Sequence, residues 1–200
     1  MAEQTRYMVM GTTAFDAVTP TRHAAPDGGK SGLTLKEMPH IGKISLRGSA
    51  DVLDALCRLA GLTRPEAANS ITTNGERHAL WMGPDELMLL VEAGAEAQLI
   101  TSMHSAMQDA HCAIVDVTDA LCAISLKGSH VRDVLAKGCP LDLHANSFTA
   151  GTCAQSFLSH AGVTLACLDT DNFILIGRTS FTAYITSFLA DAALEYGFDM

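Results

Sequence analysis

Eight histidines and six cysteines could build a metal centre or a thiolate nucleophile if their spacing brought them together. Chelation by nearby side chains needs a CxxC, an HExxH or paired histidines on one helical face, because the ligands must converge on one ion. The chain has none of these. His104 and His111 are seven residues apart, two turns on a continuous helix and too distant to chelate one ion unaided, so they read as solvated or partnered side chains. Cys112 follows His111, but neighbours at a strand start point to opposite faces, which argues against a thiolate-imidazole pair. There is no GxSxG, and Gly128-Ser129-His130 falls where a helix cap is expected. Asp85-Glu86 could supply acid-base chemistry, yet Pro84 before them and Leu87 after them read as a polar turn feeding a strand. Gly28-Gly29-Lys30-Ser31 has the ending of a phosphate-binding loop, but the position of its first glycine is Ala24 and no strand precedes it. No catalytic, cofactor-binding or metal-ligating set emerges from this chain.

The elements around these residues repeat. Ile44-Ser45-Leu46-Arg47-Gly48-Ser49 recurs 80 residues on as Ile124-Ser125-Leu126-Lys127-Gly128-Ser129, five of six positions identical. Each copy reads as a strand, a Gly-Ser break and an amphipathic helix, with Ser49 and Ser129 as natural N-caps. Asp85-Glu86-Leu87-Met88-Leu89-Leu90 is echoed by Asp171-Asn172-Phe173-Ile174-Leu175-Ile176. Further strands are expected at 79–82, 113–117, 152–158 and 163–168, and helices at about 95–110 and 180–196. The fold class is therefore α+β: internally duplicated strand-helix-strands-helix units, helices packed on largely antiparallel sheets. Residues 1–34, broken by Pro20, Pro26 and several glycines, are expected to be an N-terminal tail or strap. Residues 35–200 are expected to form a single duplicated domain with half-repeats at about 38–110 and 111–200. No GxGxxG follows a strand, which removes a dinucleotide-binding fold.

Composition narrows the partners. The 200 residues carry 13 basic and 22 acidic side chains, net −9, which speaks against nucleic acid and anionic membrane surfaces. The longest apolar runs, such as Leu87 to Val91, are far shorter than a membrane span, and no apolar leader follows Met1, so a cytoplasmic location is expected. Six widely spaced cysteines read as reduced thiols in the core. Trp81, the one tryptophan, should anchor packing or an interface.

Several segments resemble one family. Leu80-Trp81-Met82-Gly83-Pro84-Asp85-Glu86-Leu87, then Gly138-Cys139-Pro140-Leu141-Asp142-Leu143-His144 with Phe148 and Gly151, then Cys153-Ala154-Gln155-Ser156, then Arg178-Thr179, and finally Ala192-Ala193-Leu194-Glu195-Tyr196-Gly197 resemble, in this order, the gamma subunit of heterotetrameric sarcosine oxidase. The resemblance runs from about 35 to 197. Ala145 stands where the family usually has Pro, Ser156 where Thr is frequent, and Thr179 where Ser is usual. The resemblance implies a fold similar to the folate-binding domain of the glycine-cleavage T-protein, and a non-catalytic structural subunit that docks on the alpha subunit. It implies alpha, beta and delta partners in an assembly that oxidatively demethylates sarcosine to glycine, passing the one-carbon unit to tetrahydrofolate or releasing it as formaldehyde. FAD, FMN, NAD, tetrahydrofolate and zinc are then expected on the partner subunits and none on this chain. Trp81, His144 and Arg178 are the possible subunit-interface residues; Arg178, near the end of a buried strand, either pairs across an interface or braces the next helix. Other readings are the equivalent subunit of an N-methylglutamate dehydrogenase, a free-standing folate-binding aminomethyltransferase-like domain, and a general interaction module.

Overall fold

The run Leu87-Met88-Leu89-Leu90-Val91 is apolar at every position, where a strand with one wet face would alternate, so both its faces must be covered. A computed structural model, describing residues 22–25 and 32–200, shows what covers them. In chain order the elements are β1 (Arg22–His23), β2 (Leu33–Glu37), β3 (Gly42–Gly48), α1 (Ala50–Leu59), β4 (Ile71–Asn74), β5 (Arg77–Gly83), β6 (Glu86–Val91) and α2 (Glu96–Ala106). Then come β7 (Cys112–Asp116), β8 (Leu121–Lys127), α3 (Val131–Ala136), β9 (Thr152–Leu158), β10 (Ala161–Asp169), β11 (Asn172–Arg178), α4 (Thr182–Ala193) and β12 (Phe198–Asp199).

One sheet has the order β4-β5-β6-β3-β7 and the other β1-β12-β2-β8-β11-β10-β9. Every pairing is antiparallel except β12 with β2. Strand alternation sorts the side chains into layers. Leu87, Leu89 and Val91 of β6 pack with Leu53, Leu56 and Cys57 of α1 and Met103 of α2. Met88 and Leu90 turn the other way and meet Ala123, Ala166, Ile174 and Ile176 of the second sheet. Beyond that sheet, Ile124, Leu165, Phe173 and Leu175 pack under Val134 of α3 and Ile185 and Leu189 of α4. The result is four layers, helices outside and two sheets face to face, and the apolar runs are the strands buried on both sides. The two echoed segments hold matching places, β3 beside β6 in one sheet and β8 beside β11 in the other.

Several expectations change in detail. Ser49 occupies the N-cap of α1 but makes no side-chain capping bond; its carbonyl accepts from Leu53 N at 2.9 Å, and Asp51 supplies negative charge to the first turn. Ser129 is not the N-cap of α3. The N-cap is His130, because Gly128, at φ +131°, turns the chain so that its carbonyl accepts from Val131 N at 3.1 Å. α2 ends at Ala106, so His104 and His111 do not share a continuous helix. β2 opens at Leu33, and Leu33 and Leu35 are buried in the core of the seven-stranded sheet. Most of the expected tail, including Gly28-Gly29-Lys30-Ser31, lies outside the described residues.

Candidate docking surface

The three expected interface residues occupy three different surroundings. Trp81, on β5, points to the helical side of its sheet, where it packs half-buried against the core under α1 and α2. His144 is exposed in the irregular segment between α3 and β9. There its backbone N–H donates to Asp142 Oδ1 at 3.0 Å and its Nδ1 accepts from Asn146 N at 3.2 Å, a local knot that shapes the turn. A hydrogen bond from Ser147 holds the Asp142 carboxyl below its ordinary range. Arg132 anchors the same segment from α3, donating to the carbonyls of Leu143 and Phe148 at 2.7 and 3.0 Å while stacking over Phe173.

Arg178 ends β11 on the inter-sheet side, since it has the same parity as Ile174 and Ile176. Its backbone carbonyl faces the Cys122 thiol at 4.0 Å, and its side chain is exposed with no carboxylate partner among the described residues. It does not brace α4 through any bond among the described residues. It lines a cleft of about 590 Å³ between the two sheets, together with Met82, Met88, Leu121, Phe157 and Ile176. Gln155 Nε2 donates to the Met82 carbonyl at 2.8 Å across this gap, and Arg47 pairs with Glu86 at 2.7 Å at its side. Phe157, 58% exposed, went unnoticed in the sequence, although alternation over 152–158 puts it on one face with Cys153 and Gln155.

A second gap of about 420 Å³ opens at the other end of β11, lined by Ile41, His78, Ser125, Lys127, Asn172 and Ile174. His78 is 6% exposed, its Nδ1 lies 3.0 Å from Thr73 Oγ1, and burial pushes its pKa down. Near it in β3, Lys43 is only 3% exposed and donates to the carbonyls of Ile41 and Thr118 at 2.8 and 3.1 Å; burial lowers its pKa although Asp119, Asp116 and Glu96 pull the other way. Asp85 and Glu86 form no buried carboxylate pair: Asp85 is an exposed turn residue whose carbonyl accepts from Gly48 N, and Glu86 binds Arg47. Among the described residues no three His, Cys, Asp or Glu side chains are grouped to hold a metal. Among the described residues the arrangement offers surfaces and clefts for contact.

Residues 48–195 match the family described as sarcosine oxidase, gamma subunit. The chain belongs to the sarcosine oxidase gamma subunit family. Within it, the gamma subunit of sarcosine oxidase from Corynebacterium sp. (strain P-1) is 26% identical over 185 residues, covering 89% of this chain and 90% of that relative. A chain of the heterotetrameric sarcosine oxidase from Corynebacterium sp. U-96, solved with pyrrole 2-carboxylate, superposes with a TM-score of 0.79 at 25% identity, covering 87% of this chain and 88% of that one. The glycine cleavage system aminomethyltransferase T from Bartonella henselae shares the fold, with a TM-score of 0.59 at 12% identity over 80% of this chain and 45% of that one. The gamma subunit family thus has the T-protein-like α+β architecture that the motif series implied.

Proposed function

We propose that this chain is a non-catalytic structural subunit of a four-chain sarcosine oxidase, and that it works by docking on the alpha subunit. The observation that carries the reading is the superposition of most of this chain on a chain of a heterotetrameric sarcosine oxidase, at matching coverage of both. The reading assigns oxidation of sarcosine to glycine, and the FAD, FMN, NAD, tetrahydrofolate and zinc that serve it, to the alpha, beta and delta partners. It places the assembly in the cytoplasm, supported by six cysteines that are all unbridged. No helix among the described residues is long and apolar enough to cross a membrane.

Co-expression of the partner subunits with and without this chain tests the proposal. Size exclusion and a sarcosine-dependent peroxide assay should show a complete, active assembly only when the chain is present. Full assembly and activity in its absence overturn the reading. Flavin absorbance should travel with the complex and be missing from the purified chain; stoichiometric flavin on the isolated chain also overturns it.

A further inference from the structure

The space between the sheets is closed at its centre by Leu80, Leu90, Ala123, Cys153 and Ala166 and opens where β11 ends. Met82 and Met88 from one sheet and Leu121, Phe157 and Ile176 from the other give it apolar walls, interrupted by Gln155, Ser156 and Thr164, with Glu86 at its side. Phe157 is the most exposed large apolar side chain among the described residues. Methionines adapt their shape to what they meet, and a large exposed aromatic beside them is the composition of a contact anchor rather than of ordinary surface.

Arg178 stands beside these apolar walls. The chain has 22 acidic side chains against 13 basic ones, so an arginine with no carboxylate partner among the described residues is unexpected; Glu86, the carboxylate that lines the same cleft, is taken by Arg47. Arg47, Arg64 and Arg77 bind Glu86, Asp54 and Glu92. Arg132 is occupied by backbone carbonyls. Arg58 sits in the last turn of α1, where its positive charge complements the negative end of the helix dipole. Arg47 lines a cleft too, but with Glu86 as its partner; among these, only Arg178 lines one with no carboxylate bound to it. A guanidinium flanked by apolar walls binds a carboxylate in a two-pronged, charge-assisted contact that is stronger there than in open water.

We propose that this cleft receives a short segment of the partner subunit that carries a carboxylate for Arg178 beside a large apolar side chain for Phe157, Met82 and Met88. The proposal rests on the docking role argued above and names the surface and the chemistry that perform it.

The test uses the full chain co-expressed with the subunits of its complex, an affinity tag on the alpha subunit, and the amount of this chain retained as readout. Arg178→Glu should weaken retention about thirtyfold, and Phe157→Ser about tenfold. Arg178→Lys should restore part of the loss, and wild-type retention should weaken as salt is raised. Arg58→Glu, a reversal of equal size on another face, should leave retention unchanged. Thermal midpoints of the isolated variants separate docking from folding; if Arg178→Glu is destabilised, Arg178→Gln carries the comparison. Wild-type retention by an Arg178→Glu, Phe157→Ser double variant overturns the cleft assignment while the docking role stands, and so does an equal loss in Arg58→Glu. Wild-type assembly combined with Arg178-dependent binding of free acetate also overturns it, making the cleft a small-carboxylate pocket. Failure of the wild-type chain to be retained removes the docking role itself.

Discussion

His78 is the residue whose environment most directly sets a measurable property. It lies on the inter-sheet side of β5, almost fully buried, and burial lowers its pKa from an ordinary value of 6.5. A histidine depressed in the folded state is neutral there while the unfolded chain still takes up a proton. Its neutral form contributes stability that is complete above about 6.5 and is lost as the pH falls toward the lowered folded value. The thermal midpoint should therefore fall between about pH 7 and about pH 5.5. His78→Gln, which can keep a bond to Thr73, should flatten that slope; an unchanged slope in the variant would place the proton uptake elsewhere. None of this was visible from the lone letter in Arg77-His78-Ala79, because burial is a property of the facing sheet. Arg178 was legible, since it closes an apolar run, whereas Phe157 was not. An exposed phenylalanine on an alternating strand reads as ordinary surface until the opposite sheet is in place.

At the scale of elements, the two Gly-Ser breaks look interchangeable and are not. Gly128 holds φ +131°, and a Cβ there would stand 2.0 Å from the Gly32 carbonyl oxygen, where the chain entering β2 crosses close to β8. At Gly48 the nearest atom to such a Cβ is Val52 Cγ1 at 3.0 Å, a side chain at the start of α1. Gly128→Ala should cost about 2–4 kcal/mol through backbone strain and displacement of β2. Gly48→Ala should cost about 1 kcal/mol or less. Chemical denaturation of the two variants checks the order, and equal losses would contradict this account of the turn. The same comparison shows what the repeat conveyed and what it hid. Matching residues gave matching strands, because Ile and Leu at alternate positions bury one face in either copy. The partner crossing behind each strand differs, and no local pattern encodes it. β2 was missed for a related reason: Leu33-Thr34-Leu35-Lys36-Glu37 alternates only briefly, and its place beside β8 is fixed by long-range pairing. β12 spans two residues, too few to show any period.

For the whole molecule, three cores are separated by two sheets, and the cysteines sample all of them: Cys57 under α1, Cys153 between the sheets, Cys167 under the second helical layer. Burial pushes the thiols of Cys57 and Cys153 up to about 11 and raises that of Cys167. Five of the six thiols are buried and Cys112 is half-buried. A disulfide reagent at about pH 8 should modify Cys112 first, since only thiolate that solvent can reach reacts. The remaining five should follow together at the rate of global opening if the layers unfold as one unit. Cys112→Ser should delete the fast phase. Separate slow phases for Cys57 and Cys167 would mean that the two helical layers open independently.

The seven-stranded sheet also has a bearing on how the chain is made. Its order β1-β12-β2 places residues 198–199 between residues 22–23 and 33–34. Strands β1 and β2 therefore leave the ribosome long before the strand that joins them exists. At ordinary translation rates the wait is on the order of ten seconds or more, during which one side of β2 and the whole of β1 lack their mates. Synthesis interrupted at any point before residue 198 yields a chain whose early strands are never bridged. The β1-β12-β2 edge of the sheet is thus paired only once residues 198–199 are present.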